Sequence, residues 1–214
     1  MFNLNFSTSI IIVFSEYITC IIYICINNGN ELMIIMGIDP SINCTGVCIY
    51  DTASHTNLYY MIASKCTKKM KEFRSDHITI IEYCKREANK GEYQEKEYNK
   101  SNNIYDVCVI IKNLIQHHEP DLIQMEGISY GSRGSAALAD LAGLNFAIRM
   151  TILNEAVQFN ILAPTTVKKF AVGNGSAEKD VMIASWKLLD KNITGIKDIK
   201  VDDLADSYFI AHYQ

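Results

Sequence analysis

The sequence is poor in proline, with 3 in 214 residues, and it has 11 glycines and a single tryptophan. So little proline and glycine excludes a collagen-like or low-complexity chain, and a hydrophobic share of 49% excludes a disordered one. Neither sign of charge dominates: 20 Lys and Arg stand against 24 Asp and Glu, a net charge of −4. The total does not advertise a nucleic-acid binder, although a local basic face can sit on an acidic protein. No C-x-x-C pair occurs, the cysteine count of 7 is odd, and none follows Cys108. Such spacing argues against a zinc ribbon or a disulfide framework. The cysteines read as reduced thiols of a cytosolic protein, several of them acting as small apolar residues in strands.

No Lys or Arg precedes Lys65. The apolar run over 9–26 therefore lacks the basic flank of a signal peptide or a membrane anchor. Glu16 lies in its middle, and a central acid costs a membrane span about 2.5–3.5 kcal/mol. Residues 1–32 can be an anchor, an extra packed element, or upstream sequence brought in by a wrong start codon. The last reading is preferred, because Met33 is followed at once by the apolar run Ile34–Ile38 and no membrane role is expected. The domain is thus expected over 33–214, with 1–32 an extension outside the fold.

From residue 34 the pattern reads strand, turn, strand, turn, strand: Ile34–Ile38, Cys44–Asp51 and Asn57–Ala63, an antiparallel meander. Residues 65–103 carry half of the basic residues, interleaved with acids. There Phe73, His77, Ile80, Ile81 and Cys84 fall at helical spacing, and 89–103 reads as a polar loop or insertion. The segment is a solvated helix with a loop, or else a basic arm facing DNA. A helix over 104–118 ends at His117-His118-Glu119-Pro120. A strand at 121–126, a glycine-containing loop at 127–134, a long Ala-rich helix at 135–155 and a strand at 158–162 follow. Pro164 opens a short helix, Ser176 is a plausible N-cap for a helix over 177–190, and 201–213 forms the last helix. The expected fold class is α/β, with a mixed central sheet of three antiparallel strands followed by parallel strands and flanked by helices.

Two acids end strands, Asp39 and Glu126, and sites in open α/β sheets form beyond strand carboxyl ends. Asp203 and Asp206, three apart on the last helix, share one face, whereas Asp202 points elsewhere. Four converging carboxylates repel one another unless cations neutralise them, and hard divalent ions suit oxygen donors. A pair of such ions clamps the attacking and leaving oxygens of a phosphoryl displacement.

Four segments in order carry a family resemblance. Gly37-Ile38-Asp39-Pro40-Ser41-x-x-x-Thr45-Gly46 resembles the first-strand motif of the RuvC family of Holliday-junction resolvases. Glu126, its Gly/Ser loop and the helix SAALADLAGLNFAI resemble the second acidic motif. Val167-Lys168-Lys169 through Gly173-Asn174-Gly175-Ser176-Ala177-Glu178-Lys179 resembles the lysine-bearing segment, and Asp203-Leu204-Ala205-Asp206 the terminal D-x-x-D helix. The resemblance covers 33–214 apart from an insertion around 65–103. That insertion and the unusual front end suit a phage or viral member of the family.

The resemblance implies an RNase H-like fold and a homodimer that resolves four-way DNA junctions by paired symmetrical nicks, leaving 5′-phosphate and 3′-hydroxyl ends. It implies two Mg²⁺ per site, replaceable by Mn²⁺, on Asp39, Glu126, Asp203 and Asp206. Lys179 would stabilise charge at the scissile phosphate. Lys168, Lys169, Arg133 and Tyr130 would meet DNA, with Tyr130 one position displaced from the family's junction-opening aromatic. Ser41 stands where the family commonly has Gly. The expected location is the cytoplasm, the host's for a viral protein. Alternatives with the same centre are a broader structure-selective nuclease of branched DNA or RNA–DNA hybrids, and a non-catalytic junction-binding protein. The Gly37–Gly46 segment also looks like the phosphate loop of actin-like ATPases, but those need two such domains and a longer chain.

Overall fold

The computed structural model describes residues 32–87, 91–128, 135–193, 199 and 201–213. The chain divides at Met33, and the elements below belong to the unit Met33–Gln214. They are β1 (Ile34–Asp39), β2 (Cys44–Asp51), β3 (Thr56–Ala63), α1 (Lys68–Glu72), β4 (Ile78–Glu82) and α2 (Tyr93–His118). Then come β5 (Leu122–Glu126), α3 (Ser135–Asn154), β6 (Phe159–Leu162), α4 (Pro164–Val172), α5 (Lys179–Leu189) and α6 (Asp202–Ala211).

The six strands form one sheet in the order β4-β3-β2-β1-β5-β6. β1, β2 and β3 pair antiparallel, and β5 and β6 add in parallel beside β1. β4 extends the other edge, parallel to β3. This edge strand replaces the helix expected from the spacing of Phe73 through Cys84. Ile78-Thr79-Ile80-Ile81 is a run of β-branched residues, which favours a pleated strand over a helix. The expected loop over 89–103 is instead helical from Tyr93, making α2 26 residues long. Its first turns have no apolar stripe. They are held by polar contacts: Asn103 exchanges side-chain hydrogen bonds with the Arg86 backbone (2.8 and 3.0 Å), and Lys100 pairs with Asp140 of α3 (3.1 Å). α2 ends as expected, with Glu119 in the left-handed region before Pro120.

Successive side chains of a strand point to opposite faces, so the sheet feeds two cores. Met36, Ile38, Val47, Ile49 and Ile62 pack with Val107 and Ile111 of α2 and Leu144 and Ile148 of α3. Cys48, Tyr59 and Met61 face Trp186 of α5 and Leu204, Phe209 and Ile210 of α6. Leu204 and Ile210 are fully buried, and each such side chain contributes about 1.5–3 kcal/mol. The second core also holds a polar knot. Asp190 accepts hydrogen bonds from the Tyr59 hydroxyl (2.5 Å) and the Asn57 amide (3.0 Å), while Trp186 Nε1 donates to the same hydroxyl (2.9 Å).

α6 lies directly on the sheet because two strand glycines let it. A Cβ on Gly37 would come within 2.4 Å of the Ser207 carbonyl oxygen, and one on Gly46 within 2.0 Å of the Asp203 carbonyl oxygen. Any larger residue there would lift the helix.

Candidate active site

The strand register brings the first two acids together. Ile38 pairs with Met125 across the parallel β1/β5 ladder, so the next residues, Asp39 and Glu126, end their strands side by side. Alternation puts Asp39 with Gly37, and Glu126 with Gln124, whose amide donates to the Tyr213 carbonyl beyond α6 (2.8 Å). Both acids therefore face the layer that holds α6. The same helix brings Asp203 down at Gly46, the residue paired with Asp39 across β1/β2.

Asp39 and Asp203 are almost buried, at 7% and 8% exposure. Burial pushes the Asp39 carboxyl well above the usual carboxylate range. The charges of Glu126, Asp206 and Asp203 push the same way, as does its hydrogen bond with Glu126. Asp206 is raised to about 6, first by burial, then by Asp203 and Asp202, against the lowering pull of Lys179 and Lys168. All four sequence-predicted acids thus share one electrostatic neighbourhood. The Cys44 thiol lies against them, its pKa raised by burial and by the adjoining Asp203.

Lys179 opens α5, and its ammonium pairs with Asp202. Burial alone would lower its pKa. The Asp202 hydrogen bond and the charges of Asp202, Asp203 and Asp206 outweigh that and raise it. Asp202, at 3% exposure, turns to the lysine. It is the residue sequence reasoning missed. Its signal was a second acid in the first turn of a helix, where the dipole favours negative charge.

Lys168 donates to the Ala177 carbonyl (2.9 Å) and so ties down the loop leading to Lys179. Lys169 is exposed on the last turn of α4, which Gly173 closes in the left-handed region. Ser176 is not the N-cap of α5. Glu178 holds that position, and the Ser176 amide donates to Asn174 Oδ1 (3.0 Å) in a side-chain turn ahead of the helix. Tyr130 and Arg133 lie outside the described residues.

The donor set fits a hard divalent cation: four carboxylates, no neutral nitrogen ligand, and more negative charge than the nearby lysines offset. As the side chains lie, no three His, Cys, Asp or Glu groups among the described residues are gathered closely enough to chelate one ion. Asp39 and Glu126 share a hydrogen bond instead. Loading a cation would replace that contact and draw the carboxylates inward.

Comparison with known proteins bears on this arrangement. The family model described as crossover junction endodeoxyribonuclease RuvC matches residues 91–212, a span that contains Glu126, Lys168, Lys179, Asp203 and Asp206. The chain belongs to the RuvC family. A RuvC crossover junction endodeoxyribonuclease of Helicobacter hepaticus is 28% identical over 180 residues, 84% of this chain and 80% of that protein. Among solved structures, Thermus thermophilus RuvC in complex with a Holliday junction substrate matches with a TM-score of 0.53 at 13% identity, covering 84% of this chain and 90% of the other. The yeast mitochondrial Holliday junction resolvase Ydc2 matches with a TM-score of 0.50 at 16% identity, over 83% of this chain and 75% of the other. At these identities the structural matches establish the fold, which is RNase H-like in this RuvC-family chain. The family is divalent-metal dependent.

Proposed function

We propose that this chain is an endonuclease that resolves four-way DNA junctions by paired symmetrical nicks, leaving 5′-phosphate and 3′-hydroxyl ends. The observation that carries the reading is the convergence of Asp39, Glu126, Asp203 and Asp206 at one end of the sheet. Family membership supplies the substrate class.

Asp39, Glu126, Asp203 and Asp206 would hold two Mg²⁺, with Mn²⁺ as a substitute, supplying Lewis-acid activation of the attacking water and neutralisation of charge on the phosphate. The protein's own contribution is positioning. Asp39 and Glu126 are fixed by strand register, and Asp203 by the seat of α6 on Gly46. Lys179 brings a protonated ammonium to the edge of the centre, where charge develops on the phosphoryl oxygens. Asp202 orients that ammonium, and Lys168 braces its loop. Lys169, Arg133 and Tyr130 remain proposed DNA contacts.

Symmetrical cutting needs two copies about a two-fold axis. α3 offers a surface for this: its inward residues Leu144, Ile148 and Ile152 are buried, while Phe146, Met150 and Leu153 stand 54–57% exposed on another face. The stretch Ala136–Asn154 is long and apolar enough to cross a membrane by length and composition. We read its outer face as the contact for a second copy, and the cytoplasm as the place of work, alongside the DNA. The nuclease domain is taken to begin at Met33. There the Met33 amide donates to the Thr52 hydroxyl (2.7 Å) and the Thr52 amide to the Met33 carbonyl (3.0 Å), while Leu32 is 75% exposed.

The test is incubation of the full chain with a labelled synthetic junction, a flap and a linear duplex, in Mg²⁺, Mn²⁺ or EDTA, beside Asp203→Asn. Cutting confined to the junction and lost in EDTA or in the variant is expected. Equal cutting of flap or duplex would replace this reading with a broader structure-selective nuclease. Binding without cutting would make the chain a junction-binding protein.

A further inference from the structure

A cavity of about 970 Å³ adjoins the carboxylate centre, with Asp203 and Cys44 in its wall. Part of its lining is apolar and partly aromatic, with Met61, Met70, Tyr83, Ile104 and Leu144. Lys65, Lys85, Arg86 and Lys100 also line it, together with the acids Glu87 and Asp140. Two of these are engaged in bracing the walls, Arg86 with Asp106 (2.6 Å) and Lys100 with Asp140 (3.1 Å). Lys85 donates to the neutral amide oxygen of Asn43 (3.2 Å), and Lys65 is exposed. Much of this wall comes from 65–103, the segment the mechanism above does not use.

The volume is in the range of small-ligand sites, several times that of a nucleobase. Apolar and aromatic side chains take up unstacked bases, and lysines beside them meet the flanking phosphates. A branch point supplies bases that have already lost stacking, so extruding one there is cheap. The cavity shares Asp203 with the proposed chemistry, which places its occupant next to the reacting phosphate.

We propose that this cavity receives the base of an unpaired nucleotide beside the scissile phosphate, with Lys65 and Lys85 holding the adjoining backbone. The inference rests on the junction-nuclease reading and adds to it the site that selects which nucleotide step is cut. Asn43, Ser64 and Thr67 are the polar groups in the lining that can distinguish one base edge from another.

The full chain would be bound to a junction in Ca²⁺, with 5-iododeoxyuridine placed in turn at each nucleotide flanking the mapped cut, then irradiated and the cross-links located by mass spectrometry. Cross-linking concentrated at one nucleotide and falling on Tyr83 or Met70 is expected. Narrowing the cavity by Met70→Trp or Ser64→Trp should slow single-turnover cutting by about tenfold or more and change the preferred step. Cross-links outside the cavity overturn the inference, as do two folded tryptophan variants with wild-type rate and step preference. If a variant does not fold, the wild-type cross-link map decides. A wild-type chain that neither binds nor cuts junctions instead overturns the functional reading on which the inference rests.

Discussion

Replacing Gly46 with alanine puts one methyl group between β2 and α6. Its Cβ would sit 2.0 Å from the Asp203 carbonyl oxygen and 2.5 Å from the carbonyl carbon, where ordinary contact begins at 3.4 Å. The obstacle is backbone on both sides, so no side chain can rotate to relieve it. α6 must lift by about 1.4 Å, the difference between 3.4 and 2.0 Å, or β2 must bend by as much. Overpacking of this kind costs about 1–3 kcal/mol, since Leu204 and Phe209 lose their close seat on the sheet. For a domain of this size that corresponds to a midpoint lowered by roughly 2–12 °C. The effect on rate should be larger. Asp203 and Asp206 ride on the displaced helix, and a misplacement of about 1 Å can cost about 10²-fold. Thermal unfolding by circular dichroism and single-turnover junction cutting well below the midpoint would measure both. A Gly46→Ala protein with wild-type midpoint and rate would refute the claim that the close approach of α6 to β2 sets the centre's geometry.

Three further outcomes follow from the electrostatics and the buried knot. Asp39→Asn removes one of several repelling carboxylates, so the cation-free variant should melt higher than wild type while its cutting rate drops by at least about 10²-fold. A lower cation-free midpoint would contradict the repulsion argument. The pH dependence follows from the raised pKa values of Asp39 and Asp206, the latter moving from 3.8 to about 6. Between those values the native state holds protons that the unfolded chain has released, so this contribution to stability is present at the acid end and lost as pH rises through 6. The midpoint of cation-free wild type relative to Asp39→Asn should therefore fall from pH 4 to pH 7, and Mg²⁺ should close the gap. An unchanged difference across that range would refute it. Asp190→Ala strands the Tyr59 hydroxyl and the Asn57 amide in the core and should cost about 3 kcal/mol in urea unfolding, with little change in single-turnover rate on the folded protein.

The three meander strands were legible because their apolar residues alternate or run unbroken between turn residues, and each falls within a residue of its expected bounds. The nearness of the four acids was legible for a physical reason: two end strands that parallel register sets side by side, and two lie three apart on the last helix. β4 was not legible. In Phe73–Cys84 the apolar positions satisfy a helical period as well as an edge strand, and pairing to β3 settles the contest in favour of β-branched Ile78–Ile81. The start of α2 was hidden because it is held by Asn103 and Lys100 rather than by an apolar stripe. The partner of Asp202 was not legible, because helix geometry gives a direction and not the presence of Lys179 of α5 there.

The most direct test of the central claim uses a supercoiled plasmid carrying an extruded cruciform, cut by the full chain in Mg²⁺ under single-turnover conditions. Two coordinated nicks across the four-way junction convert the plasmid to the linear form, whereas independent nicks accumulate open circles. Linear product with ligatable ends, absent in EDTA and with Asp203→Asn, is the predicted result. Open circles alone, cutting that survives EDTA, or an Asp203→Asn protein as active as wild type would contradict it.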